Sequence, residues 1–437
     1  MEWYVFLAFF IVSLLGLLIL KVPVAWAMLG VGMVGAIVAF GEFNAATHMV
    51  GLSVIQAVNS FVFTAIPLFM LMGEILFRSQ VAQEALDEIS KVLGRLPGRL
   101  AMVSVGGGAM FGLLSGSTLA NTALFGSTLL PEMRKRGYDE RLAVGSILAA
   151  GGLAMILPPS ALAILWGAVA RVPIGPLLIA GVIPGLLMAV GYTVIVLAWV
   201  KRYGGAPDEE LPPARPISEV LISGFKRAFA PGLLIAVVLG LIFFGIATPT
   251  ESAAVGVVAA AIIAAFQRRL TPAILFAAGK GTVRTTAMIF FILVGSNLFG
   301  QLMSFTGATG GIVRTLTGGV TNQWVMLLII LVLLLVLGVF IDQASIMLVT
   351  APLLMPIAGA MGWNPIWFSI LVLINLQIAN TTPPFGMSLF VMRGVAPDIP
   401  TTTLYRSVLP WITSDLVVII LVAVFPVLAI WLPGFMS

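Results

Sequence analysis

Apolar runs recur along all 437 residues, near 3–20, 22–41, 52–77, 100–130, 142–170, 174–200, 229–247, 249–266, 286–305, 325–356, 366–392 and 408–432. Most reach about 18 residues, enough for a helix to cross the hydrocarbon core of a bilayer. Polar residues gather in the short gaps between them. The pattern predicts an all-α polytopic membrane protein with no separate soluble domain. The runs also fall into two similar sets. Pro23 to Phe40 aligns without a gap on Pro249 to Phe266, and Thr64 to Phe77 on Thr286 to Phe299. Gly112 and Gly338, Pro158-Pro159 and Pro383-Pro384, and Pro184 and Pro410 recur at a separation of 225 or 226 residues. In a membrane chain, an internal repeat interrupted at matching places by Gly and Pro points to a secondary transporter with its binding site between the halves.

The basic residues choose between two topologies. Twelve spans would give both halves one orientation. Yet Arg78, Lys91, Arg95 and Arg99 precede the 100–130 run, and Arg134, Lys135, Arg136 and Arg141 follow it, so both its ends read as cytoplasmic. It should therefore enter and turn back, with 112–118 as a small, polar tip seated in protein or a water-filled cavity. Treating 325–356 likewise leaves five spanning helices plus a re-entrant hairpin per half, and an odd count inverts the second repeat. Of 22 Lys and Arg, 20 then lie inside and only Arg171 and Arg314 outside. Glu2 before the first run and Lys21 after it reverse the charge order of a signal peptide, so 3–20 reads as a retained first helix.

The expected organisation is a first repeat over 1–200, with scaffold helices in 3–77, a hairpin at 100–130, a broken helix at 142–170 and a closing helix at 174–200. A cytoplasmic linker follows at 201–227. The second, inverted repeat covers 228–437, with scaffold helices in 229–305, a hairpin at 325–356, a broken helix at 366–392 and a closing helix at 408–432. Both termini would face out.

Composition narrows the chemistry. Apolar residues make up 60% of the chain and charged ones 9%, and there is no Cys and one His, His48. That excludes disulfides, thiolate metal sites and a transition-metal cluster, and leaves a membrane-embedded enzyme little to work with. The net charge of +5 sits in short loops, where it sets orientation and gives no reason to expect nucleic acid. A channel would want a continuous polar stripe through several spans, whereas polarity here is confined to the hairpins and breaks. Transport is the leading class and no cofactor is expected.

Pro158-Pro159 and Pro383-Pro384 interrupt segments long enough to span. Proline lacks an N–H and clashes with the carbonyl four residues earlier, so the pairs should free the carbonyls of Ala154 and Met155, and of Ala379 and Asn380. Paired prolines often only kink a membrane helix. Their recurrence at one repeat offset argues instead for carbonyls that ligate a cation. Asn380, Thr381 and Thr382 add oxygens at the second break, and Ser160 follows the first. In the first hairpin, Ser115, Gly116, Ser117, Thr118, Asn121 and Thr122 concentrate small and polar side chains, which could equally serve close packing. The second hairpin carries Gly338, Asp342, Gln343 and Ser345. A carboxylate at such a place is costly unless paired or wet, which makes Asp342 an ion-path or substrate-path candidate beside Asn121, Ser160, Asn380 and Thr381. Glu251 reads as a helix cap, Glu74 as the i,i+4 partner of Arg78, and Asp415 and His48 as packing or interfacial residues.

At GLLSGSTLANTALFG (112–126), ILPPS (156–160), ATPTESAAVG (247–256), GVFIDQASIMLVTAPLLMP (338–356) and NTTPPFG (380–386), the chain resembles the large membrane subunit of tripartite ATP-independent periplasmic (TRAP) transporters. The resemblance implies an elevator-type carrier in the bacterial inner membrane that uses a sodium gradient to import a small carboxylate such as a dicarboxylate, keto acid or sialic acid. It implies two partners, a small four-helix membrane subunit and a periplasmic substrate-binding protein, besides the membrane lipid. One sodium site would use Ser115 and Ser117 with carbonyls at Ala154 and Leu157. The other would use Gly338 with Ala379, Thr382 and Phe385, where the family pattern favours glycine in place of Ala379. The alternative within transport is a standalone carrier that needs no binding protein.

Overall fold

The computed structural model describes residues 2–20, 22–81, 98–115, 118–204, 231–320, 322–384 and 386–436. Of the expected hairpin tip at 112–118, residues 112–115 are helical and Thr118 starts the next helix, while Gly116 and Ser117, nearly all of the 201–227 linker, and Phe385 lie outside the described residues. The described chain is helical. In the first half, α1 is Trp3–Ile19, α2 Val24–Phe40, α3 Phe43–Val58, α4 Ala65–Arg78, α5 Arg99–Ser115, α6 Thr118–Lys135, α7 Glu140–Ile156, α8 Ala161–Ala170, α9 Ile174–Ala180 and α10 Val182–Tyr203. In the second, α11 is Pro231–Phe243, α12 Pro249–Phe266, α13 Pro272–Phe305, α14 Ala308–Gly319, α15 Gln323–Phe340, α16 Gln343–Ala360, α17 Pro365–Thr381, α18 Met387–Val395, α19 Thr401–Val424 and α20 Val427–Ile430. Six of the helical stretches are long and apolar enough to cross a membrane, seven if α7 and α8 count as one bent span. Five shorter apolar helices accompany them, among them α1, α2 and α17.

Helix ends explain several boundaries that hydropathy misplaces. The 52–77 run is not one helix: α3 stops at Val58, Asn59 caps it, and extended Ser60 leads into a 3-10 turn at Phe61–Thr64 before α4. At the offset that sets Thr64 on Thr286, Asn59 and Ser60 fall on Gly281 and Thr282, which stay inside α13, a continuous helix of 34 residues that begins well before the apolar run at 286. Thr285 in that helix donates its hydroxyl to Gly281 O at 3.3 Å. The 174–200 run divides at Gly181, where an added Cβ would collide with the carbonyl oxygen of Ile156. The 408–432 run likewise ends early, at Val424. Before α12, Thr248 and Glu251 form a reciprocal capping box, so Glu251 has the structural role its position suggested. Glu74 binds Arg78 at 2.6 Å.

The helices of one half pack on those of the other in a reciprocal way. α2 lies on α13 while α12 lies on α4, and α6 meets α18 while α8 meets α16. Without a hydrophobic drive between helices in lipid, such contacts depend on close approach through small residues. Gly32 seats Leu298, Gly295 lies against Met28, and Gly256 against Met72. Phe10 and Phe299 stack at 4.1 Å between centroids. α10 and α19 also pack together, and their contact holds a buried polar pair. Tyr192 donates to Asp415 at 2.6 Å, and Trp411 stands edge-on to the Tyr192 ring.

That pair gives a stability test. Tyr192→Phe removes the donor to a buried carboxyl group and should lower stability by about 1–3 kcal/mol, whereas Asp415→Asn keeps an acceptor and should cost less. The unfolding midpoint of purified protein in detergent is the measurement. An unshifted midpoint in Tyr192→Phe would mean that the bond contributes nothing.

Candidate functional site

Both proline pairs end a helix. α7 stops at Ile156, the chain crosses a cis Pro158-Pro159 bond, and α8 starts at Ala161, bent 42° from α7. Ser160 is the N-cap of α8, its hydroxyl accepting from Ala163 N at 3.2 Å. α17 stops at Thr381, and a cis Pro383-Pro384 bond precedes α18. The residues four positions after Ala154, Met155 and Asn380 are Pro158, Pro159 and Pro384, so these three carbonyls lack the usual helical donor. Leu157 donates back to Leu153 O at 2.9 Å and closes the α7 terminus. Ala379 departs from the expectation of a freed carbonyl, because Thr382 N reaches its oxygen at 3.2 Å in a tightened last turn.

The side chains at the second break are mostly engaged. Thr382 donates its hydroxyl to Ile378 O at 2.6 Å, and Thr381 donates to Gln377 O and Ile378 O at 3.3 and 3.1 Å. A threonine near a helix end readily bonds backward in this way, leaving its oxygen lone pairs as acceptors. Asn380 spans the break by donating to Ser388 Oγ on α18 at 2.6 Å. Asp342 is the N-cap of α16: it accepts from Ser345 N at 3.1 Å and from the Ser345 hydroxyl. Its half-buried carboxylate therefore has a local structural partner, in place of the basic one a buried ion pair would need.

The hairpin arms reach the broken helices through glycine. A Cβ on Gly112 would stand 2.7 Å from Ala154 Cα, and Gly108 packs equally close on Ala150, so α5 and α7 touch backbone to backbone. In the second half Gly338 on α15 meets Ala379 on α17. The contact there falls on the alanine methyl. Asn121 on α6 donates to Gly108 O at 3.4 Å and ties the two arms of the first hairpin, while Thr122 lies against Gly151. The structure thus brings Gly112 to Ala154, Gly338 to Ala379, and Asn121 to the same hairpin. Ser160 and Asp342 are bonded only within their own helix starts among the described residues. Ser115 closes α5, and Ser117 and Phe385 are outside the described residues.

Two glutamines complete the assembly. Gln377 on α17 lies on the face of Gly152 on α7, where no larger residue would fit. Its amide nitrogen and oxygen are buried without a hydrogen-bond partner among the described residues, as are Asn380 Oδ1 and Thr118 Oγ1. Buried polar atoms of this kind cost free energy unless a ligand or water serves them. Gln343, at the start of α16, reaches both broken helices, donating to Leu376 O at 3.2 Å and Met155 Sδ at 3.2 Å. Neither Gln377 nor Ser388 was singled out by sequence. The available signal was that Gln377 stands 225 residues after Gly152, the repeat offset. Among the described residues no three His, Cys, Asp or Glu side chains gather into a metal-binding group. The centre offers backbone, hydroxyl and amide oxygens, a donor set for hard cations.

The glycine contacts differ between halves in a testable way. Gly338→Ala should overlap the Ala379 methyl and destabilise the second hairpin, and adding Ala379→Gly should restore it. Gly112→Ala meets backbone atoms of Ala154, so Ala154→Gly should fail to rescue it. Thermal unfolding of the four variants checks this, and equal rescue in both halves would contradict the geometry.

The family described as the tripartite ATP-independent periplasmic transporter, DctM component, matches residues 11–428. The C4-dicarboxylate TRAP transporter large permease protein DctM of Pseudomonas aeruginosa is 31% identical over 93% of this chain and 94% of its own. The sialic acid TRAP transporter large permease protein SiaM of Vibrio cholerae is 32% identical over 96% of each. The isethionate TRAP transporter permease protein DctMQ of Oleidesulfovibrio alaskensis is 30% identical over 95% of this chain and 65% of its own length. These relatives are named as transporter permeases, not enzymes. In three dimensions the YdaH transporter of Alcanivorax borkumensis is similar, with a TM-score of 0.60 and 15% identity over 87% of this chain and 89% of YdaH, which is a likeness of fold alone. With a family match along nearly its whole length and relatives about a third identical from end to end, the chain belongs to the tripartite ATP-independent periplasmic transporters, as their DctM or large permease component.

Proposed function

We propose that this chain is the membrane-spanning carrier of a sodium-driven importer of a small carboxylate, in which a periplasmic binding protein delivers the solute and a small membrane subunit completes the transporter. The observation that carries the reading is the paired break. Two helices end at Pro-Pro in the core, each gripped by a hairpin through glycine, and their crossing holds polar atoms without a hydrogen-bond partner among the described residues. Unwound carbonyls and half-helix ends at repeat interfaces are the usual ion and substrate sites of secondary transporters. Dicarboxylate, sialic acid and isethionate in the names of relatives are all small organic anions, which supports an anionic solute without choosing one.

The repeat offset and the reciprocal packing support two inverted repeats, with the chain in the bacterial inner membrane and its termini on the periplasmic side. In this reading the hairpins and broken helices move as one elevator-type unit against a scaffold that includes α1, α2, α11 and α12. The scaffold exposes Trp26, Val34, Val38, Val258 and Ile262, a surface for the small subunit or lipid. The longer DctMQ relative leaves room for a second component in one chain.

Sodium binding is tested by Ser117→Ala and Thr382→Val, each of which removes a ligand oxygen. Both should raise the sodium concentration needed for half-maximal uptake in reconstituted vesicles. Unchanged sodium dependence in both would remove these residues from the ion site. Asp342→Asn separates charge from structure, because Asn is an equally good N-cap. Assembly should hold while transport falls, and wild-type transport would leave Asp342 a cap alone. Omitting the binding protein or the small subunit should abolish uptake; full uptake by the chain alone would instead make it a standalone carrier.

A further inference from the structure

A cavity of about 720 Å³ lies away from the breaks, and neither the hairpins nor the proline pairs contribute to its lining. Its walls come from the corner joining α8 to α9, the 3-10 turn before α4, the loop and first turn of α12, and Asn297 of α13. The volume falls in the range that holds a small organic ligand. Much of the wall is apolar, with Phe61, Phe63 and Ile242 prominent. One lining side chain is charged, Arg171.

Arg171 is set there by the backbone. It is the C-cap of α8 in the left-handed conformation, φ 56°, with its N–H bonded to Gly167 O. Val172 N bonds the same oxygen at 2.8 Å. A non-glycine residue in this conformation persists only where its surroundings hold it. No acid lines the cavity, and no acid lies within ion-pair distance of Arg171 among the described residues. The nearby Glu251 is turned into its own cap, accepting from the N–H and the hydroxyl of Thr248, each at 2.8 Å. Among the described residues the cavity therefore has one cation, the exposed side chain of Arg171, no acidic side chain in its lining, and amide and hydroxyl groups from Asn297 and Ser60. A guanidinium presents a planar fork of donors that matches a carboxylate with two parallel hydrogen bonds. Arg171 is also one of just two basic residues that the charge pattern puts opposite the other 20.

We propose that this cavity is a receiving site for a small organic carboxylate, with Arg171 as its anion-binding residue, separate from the site at the breaks. The proposal rests on the reading above for the outward side of Arg171 and for an anionic solute. It adds a first stop, where solute released at the outer surface is held before it reaches the core.

The test uses the absence of cysteine from the chain. Ser60→Cys places one thiol in the cavity of the assembled transporter in vesicles, and its labelling by a membrane-impermeant maleimide is followed with succinate or N-acetylneuraminate present. Protection by at least one of them is expected. Arg171→Gln should raise the half-protecting concentration on the order of 10- to 100-fold, the weight of hydrogen bonds to a charged group, and Arg171→Lys should raise it less. The proposal is overturned by no protection from either compound, by protection indifferent to Arg171→Gln, or by labelling only from the side of the 201–227 linker. Protection that follows the anionic lipid content of the vesicle and ignores added carboxylate would overturn it in favour of a lipid headgroup. Uptake measured on the same vesicles reads the transport proposal separately, since binding at Arg171 can fail while uptake persists.

Discussion

Inside a bilayer every backbone polar group needs a partner within the protein, and this chain breaks that rule at two chosen places. Prolines 158, 159 and 384 leave three carbonyls without their helical donors. Such breaks are tolerable only when surrounded by protein, and the surrounding elements are built for that task. α7 and α17 are the most completely buried helices of their halves, with every residue from Leu142 to Ile156 and from Trp367 to Thr381 buried. Exposed apolar residues instead lie on other helices, among them α2, α3, α10, α12, α13, α15 and α19. The protein thus has a dry shell around an interrupted, polar centre.

Holding that centre takes close contact more than bulk. Gly108 and Gly112 bring the first hairpin onto the backbone of α7, and Gly338 brings the second onto Ala379. Gln343 then links the start of α16 to both broken helices. A substitution at any of these contacts would change the spacing of backbone oxygens as well as the packing. Stability and ligand geometry are therefore joined in the same few residues.

Much of the helical layout was legible because proline and charge act locally. The pairs Pro158-Pro159 and Pro383-Pro384 mark where α7 and α17 stop, whereas the single prolines 131, 352, 356 and 410 are carried inside helices, and Arg134 to Arg141 mark a loop from sequence alone. Other features depend on contacts between distant residues. Nothing local tells that a helix ends at Asn59-Ser60 while the matching helix continues through the aligned Gly281-Thr282. Thr382 offers a hydroxyl in the sequence, but only the folded helix shows it turned back onto Ile378. Gln377 looked like one polar residue in an apolar run, since its neighbour Gly152 is 225 residues away.

That last pair has a consequence for how such a centre can be made. Gly152 and Gln377 occupy equivalent positions of the repeat and touch each other, as residues on the axis of a two-fold dimer do. In a dimer of identical chains one choice of residue fills both sides of an axial contact. Two glycines would leave a gap there, and two glutamines would compete for one space. A single chain escapes this restriction, because each side is encoded separately and can be large where the other is small. Joining the halves covalently therefore permits a lopsided, amide-bearing contact at Gly152 and Gln377, which strict symmetry would forbid.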